Sequence, residues 1–202
     1  MIPFPAGFSA LTGSIGIIDA RDDVLVIAAD RVVPTCGLYT KSRFAGPSVL
    51  VSRAHGASKT TRGMLVVARN ANVATGPTGY ENSVELTERA AALIGCSPEE
   101  VLVASTGVIG RLLPMERVRA WFGAQAWDEP TADGVAAASA IMTTDTEPKV
   151  ATAQSGSASI VGIAKGVGMI EPDMATMISI VTTEAEIGSD ELDALWRRVV
   201  GR

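Results

Sequence analysis

Histidine and cysteine are nearly missing from this 202-residue chain, which has one His, His55, and two Cys, Cys36 and Cys96. Zinc takes about three or four protein ligands, so a metal site is not expected. The cysteines have no CxxC spacing and read as small buried hydrophobes of a reducing compartment. His55 sits in a polar stretch, where a surface histidine is commoner than a triad base. Aromatics are 4% of residues and the formal net charge is −5. Base-stacking platforms are therefore scarce, and no Lys/Arg cluster rises above a solvated face, so a nucleic-acid partner is not expected. No apolar run approaches the roughly 18 residues of a membrane span. The apolar first ten residues lack the basic segment of a signal peptide. There is no Walker A motif, and no GxGxxG follows a strand in a βαβ setting. The expectation is a cytoplasmic chain with no cofactor, no membrane partner and no nucleic acid.

What the chain has is small and apolar residues, with 47% hydrophobic content and 20 glycines. That suffices for one sizeable core or two lobes sharing one. Small residues also let backbone approach backbone, as sites built from N–H groups require. Residues 13–18 and 23–29 read as a β-hairpin, and the 32–40 stretch continues with an interruption at Pro34-Thr35-Cys36-Gly37. Residues 48–52, 63–68 and 101–104 read as strands. Helical spacing covers 81–94, 115–126 (with Trp121 as a core anchor), 131–142 and 190–200. Ser97-Pro98-Glu99-Glu100 has the form of a capping box over one short turn. Residues 150–153, 158–164 and 177–181 complete the strand candidates. The order implies a layered α/β or α+β fold and leaves its topology open.

Chemistry then falls to hydroxyls. Thr75-Gly76, Thr78-Gly79, Ser105-Thr106-Gly107 and Ala175-Thr176 each place a hydroxyl beside a small residue. Ser105-Thr106-Gly107 follows a strand, where a glycine turn can present N–H groups to a ligand or be an ordinary turn. Thr143-Thr144-Asp145-Thr146 can hold a polar ligand or form a solvated loop. Lys165 can pair with a carboxylate or extend to solvent. Thr176 follows a glycine- and proline-bearing turn and a small residue, a loose fit to self-cleavage by N→O acyl shift. Cleavage before Thr176 creates an α-amine of reference pKa about 7.7–8.0, which can act as base for its own hydroxyl.

Several long stretches resemble one family in its own order. They are Arg69-Asn70-Ala71-Asn72-Val73-Ala74-Thr75-Gly76, Ser105-Thr106-Gly107-Val108-Ile109-Gly110, Ile141-Met142-Thr143-Thr144-Asp145-Thr146, and Gly162 through Met177. They look like the ornithine acetyltransferases, also called glutamate N-acetyltransferases or ArgJ proteins. Ala68-Arg69-Asn70-Ala71-Asn72 with Ser42-Arg43-Phe44-Ala45-Gly46-Pro47-Ser48 resembles the paralogue of clavulanic-acid gene clusters. The resemblance implies an ArgJ-like or DmpA-like α-region fold in one domain, incomplete relative to the full family fold. Residues 1–175 would correspond to the α chain and 176–202 to the start of the β chain. It implies self-cleavage between Ala175 and Thr176, with Thr176 as nucleophile and Thr106 and Gly107 as the oxyanion hole. Lys165 and one of Thr143 and Thr144 would bind substrate. The implied reaction moves an acetyl group from N2-acetylornithine to glutamate through an acetyl-threonine ester. The implied partner is the β-chain polypeptide, or the remainder of a precursor, in an αβ heterotetramer.

Family precursors are much longer, and their later pocket residues have no counterpart here. Activity is therefore expected to need the β portion, with one sheet or helix face left uncovered. The competing expectation is a truncated, unprocessed homologue that acts only in binding or structure.

Overall fold

A computed structural model describes all residues except 19–20, 129, 131–132, 167–175 and 202. It contains two sheets. The first, in order β1-β2-β3-β4, comprises β1 (Phe8–Gly13), β2 (Val24–Pro34), β3 (Thr60–Val67) and β4 (Val101–Ser105). Its first three strands are antiparallel, and β4 runs parallel to β3. The second is an antiparallel meander of β5 (Lys149–Ser155), β6 (Ala158–Lys165) and β7 (Ile178–Thr183). The layered α/β architecture expected from the sequence is what forms.

Alternation along the strands of the first sheet builds two cores. Val24, Val26 and Ala28, with Leu65, Val67, Val101 and Val103, face α1 (Pro47–His55), α2 (Gly76–Ile94) and α3 (Met115–Gly123). Leu25, Ile27 and Val66 face the opposite way. They pack with Ala137, Ala138, Ala140 and Ile141 of α4 (Gly134–Ala140) and the turn after it. Ile163 and Ile178 close this second core from the meander, so α4 packs between the two sheets. Its alanines let it fit there. Asp133 caps it, accepting from Val135 N (3.0 Å) and Ala136 N (2.9 Å).

Three local readings of the sequence are corrected. The strand expected at residues 13–18 lies earlier, at β1. Residues 14–18 instead wrap the buried Asp23 carboxylate, to which Ile15 N and Ile17 N donate at 2.6 and 2.8 Å. Strand β2 stops at Pro34, and the segment from Thr35 to Gly46 has no regular structure. Residues 48–52 are helical, inside α1, because Pro47 opens a turn and the apolar Val51 is buried against the sheet. The other expected elements form with ends moved by a few residues, including the Ser97–Glu100 capping box. Trp121 is half-buried, set edge-on to Phe122 at 4.8 Å between ring centroids. The final helix, α5 (Ser189–Val200), buries none of its residues completely, and Val199 is 52% exposed.

The polar stripe of α1 has a definite task. β4 is the last strand of its sheet, and its free edge lies against α1. Ser52 Oγ donates to Val103 O and accepts from Val103 N, both at 2.6 Å. Ser48 Oγ meets Ser105 Oγ at 2.7 Å, and His55 Nδ1 lies 2.8 Å from Val101 O. Helical spacing thus places Ser48, Ser52 and His55 opposite alternate residues of the strand. His55 is bound to backbone there. Ser52→Ala leaves both backbone groups of Val103 unpaired in a buried place. A loss of about 1–3 kcal/mol is expected, measured as a lower urea midpoint at unchanged slope.

Candidate active site

The two sheets converge on Lys165, the last residue of β6. It is 3% exposed. Its Nζ donates to Thr143 Oγ1 at 2.7 Å, to Thr106 Oγ1 at 3.0 Å and, more weakly, to the Thr176 carbonyl at 3.4 Å. No carboxylate contacts it directly among the described residues. Burial pushes its pKa down, the Asp145 charge opposes that, and Lys149 and Arg69 add to it.

Thr106 follows β4. Its N–H is held in the backbone ladder, donating to Val67 O at 3.0 Å. Its side chain accepts from Lys165, which leaves the hydroxyl hydrogen available to a further acceptor. Gly107 comes next at φ 137°, a conformation that L side chains avoid. A Cβ there would collide with the carbonyl group of Arg69. Among the described residues Gly107 N–H makes no hydrogen bond. Opposite this turn Arg69, Asn72 and Ala74 all have positive φ, at 72°, 45° and 59°. Such residues cost of order 1–3 kcal/mol each and persist only where the surroundings over-determine them. Here the Asn70 amide bonds Arg111 O and Leu112 O at 3.1 and 3.2 Å, and the Asn72 amide bonds Gly79 O and Ser83 Oγ at 2.9 and 2.8 Å.

Thr143 and Asp145 come from the turn after α4. Thr143 O accepts from Arg69 Nη1 at 2.6 Å, so Thr143 is held by two cations. The Asp145 carboxylate is fully buried and pairs with Lys149. It also accepts from Gly166 N at 2.8 Å and from Thr143 N at 3.3 Å. Burial is the largest influence on it and raises its pKa. The Lys149 ammonium and the two N–H donors together outweigh that and hold the carboxyl well below its usual range. Gly166, at φ 101°, lies flat against the Thr176 backbone, where a Cβ would strike the Thr176 carbonyl oxygen.

A family model described as the ArgJ family matches residues 9–202. The chain belongs to the ArgJ family. It is 47% identical over 199 residues to glutamate N-acetyltransferase Oat2 of Streptomyces clavuligerus, covering 98% of this chain and 51% of that protein. It is 45% identical to the arginine biosynthesis bifunctional protein ArgJ of Rhodococcoides fascians, covering 98% and 49%. The chain thus spans about half the length of the curated relatives it matches. Among solved structures, ornithine acetyltransferase of Mycobacterium tuberculosis, in complex with ornithine, matches with a TM-score of 0.72 and 26% identity, covering 86% of this chain and 94% of that one. ArgJ from Bacillus halodurans gives the same TM-score and identity, over 86% and 92%.

Of the residues singled out from the ArgJ-like motifs, Thr106, Thr143, Lys165 and the Thr176 backbone meet at one ammonium group. Gly107 borders them. Thr144 is exposed, while Thr143 carries the contact to Lys165. Ala175 lies outside the described residues. Thr75 is tied to Asn72 Oδ1 at 2.8 Å and serves the Arg69–Ala74 segment. Arg69 and Lys149 were not singled out as single residues. The spacing of Asp145 and Lys149 gave no sign that they pair, since both lie outside any helix.

Because the folded pKa of Asp145 lies below its unfolded value, its contribution to stability is present above the reference of about 3.9 and is lost as pH falls through the folded pKa. Asp145→Asn is therefore expected to be least stable relative to the parent at neutral pH. The gap narrows as the solution is acidified below about pH 4, read from urea unfolding across a pH series.

Proposed function

We propose that this chain is the α-region and the start of the β-region of an acetyltransferase that moves acetyl from N2-acetylornithine to glutamate through Thr176. The observation that carries the reading is the meeting of Thr106, Thr143 and the Thr176 backbone on the buried Lys165 ammonium. Family membership supports the reaction class. Residues 1–175 form the α part, and residues 176–202 begin the β part.

In the first step the Thr176 hydroxyl attacks the Ala175 carbonyl. The peptide C–N bond breaks, an ester forms, and water hydrolyses it. The new α-amine of Thr176 then accepts the hydroxyl proton as Oγ attacks the acetyl carbonyl of N2-acetylornithine. Negative charge gathers on the carbonyl oxygen. The Thr106 N–H is already spent on Val67, so the donors are the Thr106 hydroxyl and the Gly107 N–H. The Lys165 ammonium polarises that hydroxyl through its hydrogen bond. Ornithine departs with the proton on its amine. The glutamate amine attacks the acetyl-threonine ester, releases N-acetylglutamate and restores the hydroxyl. Lys165 and Thr143 hold the amino-acid portion. The active assembly is an αβ heterotetramer, whose β chain supplies the rest of the pocket.

The experiment is intact-mass analysis and an acetyl-transfer assay on the chain, alone and together with a polypeptide completing the length of the curated relatives. A fragment beginning at Thr176, with N-acetylglutamate formed from N2-acetylornithine, is the expected result. An uncut chain and no transfer in the completed protein would sink the reading in favour of a binding or structural role. Thr176→Ala is expected to abolish both cleavage and transfer. Thr106→Val is expected to lower kcat by about 10²–10³, the usual loss for one oxyanion donor.

A further inference from the structure

Arg69 is the cation of this site that the reaction above leaves without a task. Its Nη1 holds Thr143 O, while its Nε and Nη2 are shut off from solvent. Among the described residues those two nitrogens have no hydrogen-bond partner. In a guanidinium they lie along one edge with parallel N–H bonds, the fork that takes both oxygens of a carboxylate. Charged donors left buried and unpaired are costly. The residue also sits at φ 72°, a strained setting for a long side chain.

Among the described residues, the charges around it do not supply the missing anion. Arg21, Asp23 and Asp145 act on Arg69 electrostatically. The Asp23 carboxylate is taken by Ile15 N and Ile17 N, and that of Asp145 by Lys149, Gly166 N and Thr143 N. Lys165, on the other side of Thr143, has hydroxyl and carbonyl partners only. One threonine therefore separates a buried guanidinium edge that lacks a partner from an ammonium whose 3.4 Å contact to Thr176 O is the one a carboxylate would replace.

We propose that Arg69 is a specificity-determining residue that, with Lys165, forms a two-cation receptor selecting an amino acid with two carboxylates over one with a carboxylate and an ammonium. The inference rests on the acetyl-transfer reading only in taking the ligand to be an amino acid. Under that reading glutamate carries the second carboxylate and ornithine carries an ammonium that the guanidinium repels. Arg69 then serves the acceptor half-reaction more than the donor half.

The test titrates the 202-residue protein with glutarate, butyrate and 4-aminobutyrate at constant ionic strength, by calorimetry or NMR shift. Three forms are compared: parent, Arg69→Gly and Arg69→Lys. Glycine accepts the positive φ without strain, and lysine keeps the charge but loses the fork. The parent is expected to bind glutarate more tightly than either other ligand. Arg69→Gly is expected to weaken glutarate about ten- to a hundredfold while moving butyrate by no more than about twofold, with Arg69→Lys between. Equal glutarate affinity in parent and Arg69→Gly overturns the proposal, as does a parent that binds glutarate no better than butyrate. If Arg69→Gly does not unfold cooperatively, Arg69→Lys decides, and unchanged glutarate affinity there overturns it. Selective glutarate binding by a protein that neither cleaves nor transfers would refute the enzyme reading and leave the Arg69 assignment standing. Transfer without dicarboxylate preference would do the reverse.

Discussion

The buried ammonium of Lys165 is the tie on which the site depends. It ends a strand of one sheet and bonds the residue that follows a strand of the other. Its second partner follows the helix between those sheets, and its third is the carbonyl that precedes β7. A lysine loses hydration at such a place and regains it only through well-placed oxygens. The relative placement of the two sheets and the hydration of one charge are therefore the same constraint. With Asp145 turned toward Lys149, Lys165 is left among neutral oxygens.

Around that charge the backbone is held in conformations it would not choose alone. Gly107 and Arg69 approach each other so closely that no Cβ fits between them, and Val108 N donates to Arg69 O at 3.1 Å. The positive-φ residues of the Arg69–Ala74 segment are braced by the Asn70 and Asn72 side chains, not by regular structure. Rigidity here comes from buried amides that each satisfy backbone groups at a distance in sequence. The apolar core supplies only the platform.

Much of this was legible beforehand and some was not. Strands with strong alternation, such as β3 and β4, were readable because each face meets its own core. The stretch at residues 48–52 misled, since Ser-Val-Leu-Val-Ser alternates as a strand does. Its helical state is set by Pro47 and by a sheet edge that needs hydroxyls at helical intervals, which is tertiary information. In the site, Thr106, Gly107, Lys165 and Thr176 stand out together only through motif resemblance, since the residues alone leave Ser105–Gly107 readable as an ordinary turn, Lys165 as reaching solvent and Thr176 as a loose fit to self-cleavage. Thr143 and Thr144 were inseparable until the end of α4 turned one toward Lys165 and the other to solvent. Arg69 lay inside a motif yet carried no sign of its unpaired guanidinium edge, which exists only once the chain has folded.

The way α1 meets β4 has an architectural consequence. A sheet edge covered by another strand can exchange that strand for a foreign one, because the two offer the same bonds. The edge of β4 is met by a serine hydroxyl that both gives to and takes from Val103, and by a histidine ring on Val101. An incoming strand would have to displace a helix that also carries core side chains. Lateral growth of this sheet is thus barred on its parallel side, and any strand joining it has to enter beside β1. The sheet has a direction of assembly, written by three side chains on one helix face.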